Sequence, residues 1–77
     1  MKGAVEKIVR SLVGEPDAVE VTESSDGKNV RIEIRAAGGD YGRLIGREGR
    51  TIKAIRSILF MAGQKQGKRF HLDLLED

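Results

Sequence analysis

The spacing of apolar residues predicts the first three elements of the chain. Five aliphatic side chains recur every three or four residues across residues 2–13, which indicates an amphipathic helix. Apolar and polar residues then alternate over 19–22 and, more regularly, over 29–36, so both segments are predicted as strands with one buried face. Between them, residues 25–28 contain Asp-Gly and predict a tight turn.

The second half of the chain alternates glycine-rich breaks with short periodic segments. Gly38-Gly39 ends the second strand, and Asp40 is a candidate N-cap for a short helix over 41–45. Residues 46–49 separate this helix from a longer one. The remaining predictions are a long helix from Arg50 to about Ala62, a polar loop over 63–68 and a last strand over 70–74.

These elements predict an α+β domain with the order αββααβ. The tight turn makes the first two strands antiparallel neighbours, whereas two helices between the second and third strands allow a right-handed parallel crossover. The expected architecture is a three-stranded mixed sheet with the helices packed on one face. A chain of 77 residues has the size of one domain, so we expect a single domain over 1–77.

The composition argues against several kinds of chemistry. The chain has no cysteine and one histidine, so thiolate metal sites, disulfides and a Ser–His catalytic pair are not expected. A small domain without disulfides fits a reducing compartment, and we expect a cytoplasmic protein without a metal or other cofactor. The longest apolar run, 58–62, is far shorter than the roughly 20 residues of a membrane-spanning helix.

Positive charge is concentrated in the second half of the chain. Residues 1–40 carry 6 Lys/Arg and 8 Asp/Glu, whereas residues 41–77 carry 8 and 4. Within 43–56, five basic side chains accompany a single acidic one, Glu48. Such a local cationic stretch, in a chain of net charge +2, is typical of a surface that binds phosphate groups.

The long helix has an apolar side and a basic side. The apolar side, predicted to pack on the sheet, holds Ile52, Ile55, Ile58, Leu59 and Ala62, and the nearly opposite side holds Arg50, Lys53 and Arg56. A basic side is also typical of a helix face that only contacts water. The residues that precede the helix therefore decide between the two interpretations.

Gly46-Arg47-Glu48-Gly49 lies immediately before the N-terminus of the basic helix. Free backbone N–H groups and the positive end of the helix dipole at this position attract an anion. Glycine at both ends lets a sugar–phosphate backbone approach closely, and Arg47 can contact phosphate oxygens. A second GxxG sequence, Gly39-Asp40-Tyr41-Gly42, lacks this context and is interpreted as a loop that leads into the short helix.

The segment GRLIGREGRTIKAIR, residues 42–56, resembles the signature of a K-homology (KH) RNA-binding domain. The order αββααβ matches the bacterial, type II arrangement. Over essentially all 77 residues the chain is similar to the short bacterial single-KH proteins of the KhpA-like family. The similarity includes the leading amphipathic helix, its exit at residues 12–17 and Gly67-Lys68-Arg69 before the last strand.

The resemblance implies that the chain binds single-stranded RNA. KH domains clamp about four unpaired nucleotides, with the GxxG loop on the backbone. Phosphates would lie on residues 46–50, and bases would enter a groove between the long helix and the last strand, with Ile45, Ile52 and Leu72 as its apolar floor. The expected RNA-binding residues are Arg43, Ile45, Gly46, Arg47, Glu48, Gly49, Arg50, Ile52, Lys53, Arg56, Lys68, Arg69 and Leu72.

Phe60 and Met61 fall outside the apolar side of the long helix. They either tuck under the following loop or form an exposed patch for pairing. The family is associated with self-pairing and with a larger Jag-type (KhpB-like) RNA-binding partner, so the resemblance implies a homodimer or heterodimer with both residues in the contact. It also implies an RNA chaperone that modulates gene expression, peptidoglycan homeostasis and cell length.

An alternative function is that of an interaction subunit, whose KH fold mainly docks a protein partner while RNA contact is secondary. Phe60 and Met61 favour this alternative, whereas the loop at 46–49 favours RNA binding. Enzymatic activity and a small-molecule substrate are not expected, because the segment around Gly49 lacks the first glycine and the lysine of a P-loop and His71 stands alone.

Aromatic residues are few in this chain. Tyr41, Phe60 and Phe70 are the only ones, so the sequence predicts no aromatic platform on which bases stack. Affinity for RNA is then expected to rest on phosphate contacts and to fall with added salt.

Overall fold

The computed structural model describes residues 1–76, which form three α-helices and three strands. The elements are α1 (Lys2–Leu12), β1 (Glu20–Asp26), β2 (Asn29–Arg35), α2 (Tyr41–Ile45), α3 (Arg50–Gln66) and β3 (Arg69–Leu74). Short 3-10 turns over Pro16–Ala18, Gly38–Asp40 and Arg47–Gly49 precede β1, α2 and α3. The order αββααβ is the one that the sequence predicts.

The three strands form one mixed sheet in the order β1-β2-β3. β1 pairs with β2 in antiparallel fashion and places Val21 opposite Ile34, whereas β2 pairs with β3 in parallel and places Ile32 opposite Leu72. The expected α+β fold, with its tight hairpin and its helical crossover, is therefore confirmed.

The core lies between the helices and one face of the sheet. Alternation along β2 buries Val30, Ile32 and Ile34 almost completely. The helices contribute Val5 and Val9 from α1, Leu44 from α2, and Ile52, Ile55 and Leu59 from α3. This packing fixes the apolar side of α3 on the sheet and leaves its basic side outward.

α3 is about one turn longer than the sequence predicts, because it continues through Gly63 to Gln66. The predicted loop over 63–68 is wrong for its first four residues. Gly63 is buried where α3 approaches β3, and a Cβ there would lie 2.4 Å from the Lys68 carbonyl oxygen. The helix ends at Gly67, whose φ is 67°, and the Lys68 N–H donates to the Gly63 carbonyl at 2.8 Å. Only two residues then link α3 to β3.

β1 is also longer than its pattern predicts. The strand continues to Asp26, so the hairpin turn consists of Gly27 and Lys28, and the prediction that Ser25 and Asp26 belong to the turn is wrong. Val21 is the one buried residue of β1, so most of this edge strand shows no apolar alternation. Gly27, with φ of 63°, takes the first position of a two-residue turn, as in type II′ hairpins.

Asp40 occupies the position before α2, but its side chain does not cap that helix, which corrects the predicted N-cap. Its buried carboxylate instead accepts hydrogen bonds from the N–H groups of Gly14 (3.0 Å) and Glu15 (3.1 Å). These donors follow the end of α1, and hydrogen bonds from N–H groups to an ionised carboxylate are among the stronger ones in proteins. Asp40 therefore ties α2 to the end of α1.

Candidate nucleic-acid interface

The connection between α2 and α3 begins at Gly46, where only glycine fits. Its φ of 76° and ψ of 174° lie in a region that is essentially restricted to glycine. A Cβ on Gly46 would also lie 2.2 Å from Oγ1 of Thr51 and 2.8 Å from its backbone nitrogen. The Gly46 N–H donates to the Gly42 carbonyl at 2.9 Å, and the Gly49 N–H donates to the Gly46 carbonyl at 3.1 Å. The loop is thus held against both helices.

The next feature of this loop is a pair of left-handed residues. Glu48 has φ 57° and ψ 24°, and Gly49, the residue before α3, has φ 75° and ψ 16°. A non-glycine residue in this region costs about 1 kcal/mol or more. No side chain among residues 1–76 caps α3, and its first N–H, that of Arg50, donates to the Arg47 carbonyl. The N–H groups that follow in the first turn therefore have no side-chain acceptor. An anion suits this position.

The basic side chains near the loop differ in their availability. In the described chain neither Arg47 nor Lys53 forms an ion pair. Arg50 lies 3.6 Å from Glu48, but both side chains are largely exposed, and such a pair contributes little. Arg43 instead lies 3.8 Å from Asp40, beside Gly14. Arg47, Arg50 and Lys53 are therefore the cations without a buried partner at the loop, whereas the largely exposed Arg43 lies beside the buried Asp40.

An open groove lies between α3 and β3, where the sequence analysis expects the bases. Its main cavity has a volume of about 600 Å³, and its lining includes Arg56, Phe60, Met61, Phe70, His71 and Leu72. The Arg56 guanidinium crosses from α3 to β3 and donates to the Leu72 carbonyl at 3.0 Å. Most of the N–H donors of this arginine remain free for other partners.

The free edge of β3 borders this groove. Arg69 and Leu75 donate their N–H groups to Lys28 and Ile34 at 2.8 Å, which fixes the side of the strand that pairs with β2. Alternate residues, among them Leu72, direct their backbone groups the other way. Apart from the Leu72 carbonyl, which accepts from Arg56, the groove consequently offers outward backbone groups of β3 beside an apolar surface, which is what the polar edge and the flat face of a base require.

The structure brings only part of the predicted floor into this groove. Leu72 lines it. Ile52 is 7% exposed and packs in the core, because it lies on the side of α3 that faces the sheet. Ile45, 39% exposed, is the last residue of α2 and lies beside the loop. The apolar lining consists instead of Leu72 with Phe60, Met61 and Phe70.

Phe60 and Met61 are 64% and 58% exposed, so neither tucks under a loop. Both line the groove between α3 and β3. Ile58 is 49% exposed, and its predicted place in the core is wrong, because it lies at the margin of the apolar side of α3. α3 therefore presents a larger apolar surface than the sequence analysis assigns to it.

Lys28, Phe70 and His71 are among the groove residues that escaped the sequence analysis. Lys28 lies in the hairpin turn and approaches β3 because Asn29 pairs with Arg69 in the sheet register. Phe70 shares a face of β3 with Leu72, so the alternation along this strand could have predicted that Phe70 lies beside Leu72 in the groove. His71 is exposed and lies 3.3 Å from the Asn29 side-chain oxygen through Nε2. Lys68 and Arg69, both predicted, lie at the same end of the groove.

A family model described as KhpA/KhpB, KH domain, matches residues 2–74, which include the loop, α3 and β3. The chain belongs to the KhpA/KhpB family of KH domains. The resemblance seen in the sequence and the type II KH fold are thereby confirmed.

Several curated proteins of the KhpA/KhpB family are similar to this chain over nearly their whole length. The RNA-binding protein KhpA of Halalkalibacterium halodurans is 43% identical over 76 residues, which cover 99% of this chain and 100% of that protein. The RNA-binding protein KhpA of Aquifex aeolicus is 42% identical, with 99% and 96% covered. That of Chlamydia trachomatis is 36% identical, with 100% and 99% covered. No solved structure matches the chain significantly.

The described part of this KhpA/KhpB family member holds no cluster of three or more His, Asp or Glu side chains that could bind a metal ion. Within residues 1–76, no helix has the length and apolar character needed to span a membrane.

Proposed function

We propose that this chain is a single-stranded RNA-binding protein that consists of one KH domain over 1–77 and has no enzymatic activity. The observation that carries the proposal is the loop geometry. Gly46, Glu48 and Gly49 hold an open backbone at the N-terminus of α3, where among residues 1–76 no side chain caps the helix and Arg47 and Lys53 form no ion pair. The curated relatives named as RNA-binding proteins support this function.

In this proposal the two parts of the interface bind different chemical groups of the RNA. The loop and the first turn of α3 bind the ribose-phosphate backbone through N–H groups and cations, which carry no sequence information. The groove between α3 and β3 receives the bases on an apolar surface bordered by the free edge of β3. The residues proposed to form the RNA site are those of the sequence analysis. Among them, Ile52 supports the site from within the core, and Arg43 reaches the RNA from its position beside Asp40.

The proposal is tested by following backbone amide signals while short oligoribonucleotides are added at low ionic strength. We expect the amides of residues 46–50 to shift most, because a phosphate bound at this loop changes the surroundings of all its N–H groups. Signals from α1 serve as an internal reference for non-specific effects. The proposal fails if other regions respond to RNA while residues 46–50 remain unchanged.

We further propose that the protein pairs through the exposed apolar part of α3, with a second copy or with a larger Jag-type KH protein. Phe60, Met61 and Ile58 support this proposal, because large apolar side chains this exposed are typical of contact surfaces. Pairing would also give a weak single-KH module the affinity of two linked modules.

The pairing proposal predicts that Phe60→Asp or Met61→Asp shifts the protein toward the monomer in sedimentation velocity experiments. A charge buried in a small apolar contact costs several kcal/mol, so dissociation at micromolar concentration is expected. Thr22→Asp, on the exposed β1 strand, introduces the same charge elsewhere and is the matched control. If the parent protein is a dimer and both α3 variants sediment as it does, this contact is wrong.

The cellular role proposed for this protein is that of a cytoplasmic RNA chaperone, which acts with its partner on gene expression, peptidoglycan homeostasis and cell length. The family membership supports this role. A second candidate function is a protein-interaction subunit for which RNA is secondary, and the exposed Phe60, Met61 and Ile58 favour it. RNA binding that depends on the loop distinguishes the first function from the second.

A further inference from the structure

A second cavity continues the groove at the end of α3 that lies away from the loop. It has a volume of about 590 Å³, within the range of small-ligand sites. Phe60, Phe70 and His71 line both this cavity and the main groove, so the two are continuous. Phe60 lies ten residues after Arg50 on α3, which places this second cavity roughly 15 Å along the helix from the loop.

Two aromatic side chains from different elements flank this second cavity. Phe60 projects from α3 and is 64% exposed, whereas Phe70, on β3, is partly buried. The Phe70 ring lies against Gly63, where a Cβ would be 3.3 Å from Cδ2. Because Gly63 has no side chain, the Phe70 ring can lie close against α3. The fold therefore assembles the aromatic surface that the sequence analysis does not expect.

Cations surround the same cavity. Lys28 from the hairpin turn, together with Lys68 and Arg69 from the end of the groove, contributes to its lining. Over residues 1–76 these three side chains form no ion pair, and no carboxylate belongs to the lining. Aromatic surface with unpaired cations is complementary to a nucleotide, which has a flat base and a negative phosphate.

We propose that the second cavity binds one further nucleotide of the RNA strand, beyond the four held by the loop and the main groove. Its base stacks on Phe60 and its phosphate lies near Lys28, Lys68 and Arg69. This inference rests on the proposed function, because it extends the same strand along the same groove. Stacking accepts every base, so this subsite adds affinity without adding sequence preference.

Phe60 also belongs to the proposed pairing surface. A second copy on Phe60 would cover the second cavity, so the additional nucleotide and the protein partner exclude each other at this side chain. The binding measurements are therefore made below the protein concentration at which the parent self-associates.

The test compares tetra- and hexanucleotides of the homopolymer RNA that binds most tightly. Phe60→Leu keeps an apolar side chain but removes the π-face, and Phe60→Tyr keeps both. We expect Phe60→Leu to weaken hexanucleotide binding roughly 5- to 150-fold, because one stacked base is lost. Tetranucleotide binding should fall much less, because leucine keeps an apolar contact with the main groove, which Phe60 also lines. Phe60→Tyr should bind both as the parent does. A hexanucleotide can bind in more positions along the site than a tetranucleotide, which raises its apparent affinity. Because the parent protein has the same advantage, each variant is compared with the parent for the same oligonucleotide.

A second measurement tests the phosphate contact. Lys28→Ala is expected to lower the slope of log affinity against log salt by about 0.7 for the hexanucleotide, the value for one phosphate of a single strand. The tetranucleotide slope should stay the same. Lys28 contacts β3 through its backbone carbonyl, so the substitution leaves that hydrogen bond in place.

Three results would overturn the inference. Phe60→Leu could bind both oligonucleotides as the parent does, or it could lose both equally, which would place Phe60 within the tetranucleotide site. Finally, Phe60→Leu could reduce self-association without changing RNA binding, which would show that a second copy of the chain, and not a nucleotide, occupies the second cavity. Failure of the proposed function gives a different result from failure of this inference. In that case, replacing Arg47 and Glu48 by aspartate would leave tetranucleotide binding unchanged.

Discussion

Replacing Arg47 and Glu48 together by aspartate is expected to weaken single-stranded RNA binding roughly 100-fold without unfolding the protein. The change moves the loop by two charge units toward the negative, close to the phosphates. Like charges about 4 Å apart at a protein surface cost between roughly 1 and 4 kcal/mol. Both side chains are exposed, and aspartate tolerates the left-handed conformation of position 48 better than glutamate does.

The measurement is a titration of labelled oligoribonucleotide, with thermal unfolding of each variant as a check on the fold. Lys7→Asp is the matched control, because it changes the charge by the same amount on the exposed side of α1. We expect this control to retain most of its affinity. Equal binding by the double variant and the parent would remove the loop from the RNA interface.

Gly63→Ala is expected to lower the free energy of unfolding by about 2 to 3 kcal/mol. The new methyl group would lie 2.4 Å from the Lys68 carbonyl oxygen, and backbone cannot rotate away as a flexible side chain can. α3 and β3 must therefore separate, which also disturbs the packing of Leu59 and Leu72. Urea denaturation followed by circular dichroism measures the change.

Gly42→Ala is the matched control for this prediction. Gly42 is a helical glycine in α2, and nothing beyond its own helix and chain neighbours lies within 4 Å of the position that a methyl group would take. Alanine there should raise the free energy of unfolding by about 0.5 to 1 kcal/mol, since it reduces the freedom of the unfolded chain. If both variants unfold at the same urea concentration, α3 and β3 are not in the close contact described.

The difference between these two glycines explains why the end of α3 was not predictable. Glycine in a sequence indicates either a break or a close approach of backbone, and the pattern around Gly63 contains nothing that separates the two. Gly46 and Gly49 were easier to interpret, because basic residues and a periodic helix follow them. The loop was therefore visible in the sequence, whereas the contact of α3 with β3 depends on the tertiary fold.

The residues that line the groove could likewise be predicted only in part from the sequence. Alternation identified Leu72 on the inner side of β3, and helical spacing separated Phe60 and Met61 from the core. Periodicity does not show, however, that Phe60 and Phe70 line one cavity, because that arrangement depends on how α3 lies across β3. The position of Arg43 beside Asp40 was not visible in the sequence for a similar reason, because Asp40 is held by the end of α1, far away in sequence.

The hydrogen bond from the Arg56 guanidinium to β3 opposes aggregation through the free edge of the sheet. An unpaired outer strand offers a template to any extended chain, and proteins that leave one uncovered tend to associate strand to strand. By occupying the main-chain oxygen at position 72, Arg56 interrupts the row of acceptors that a foreign strand would need. This contact therefore makes the edge of β3 a poorer template for another polypeptide backbone.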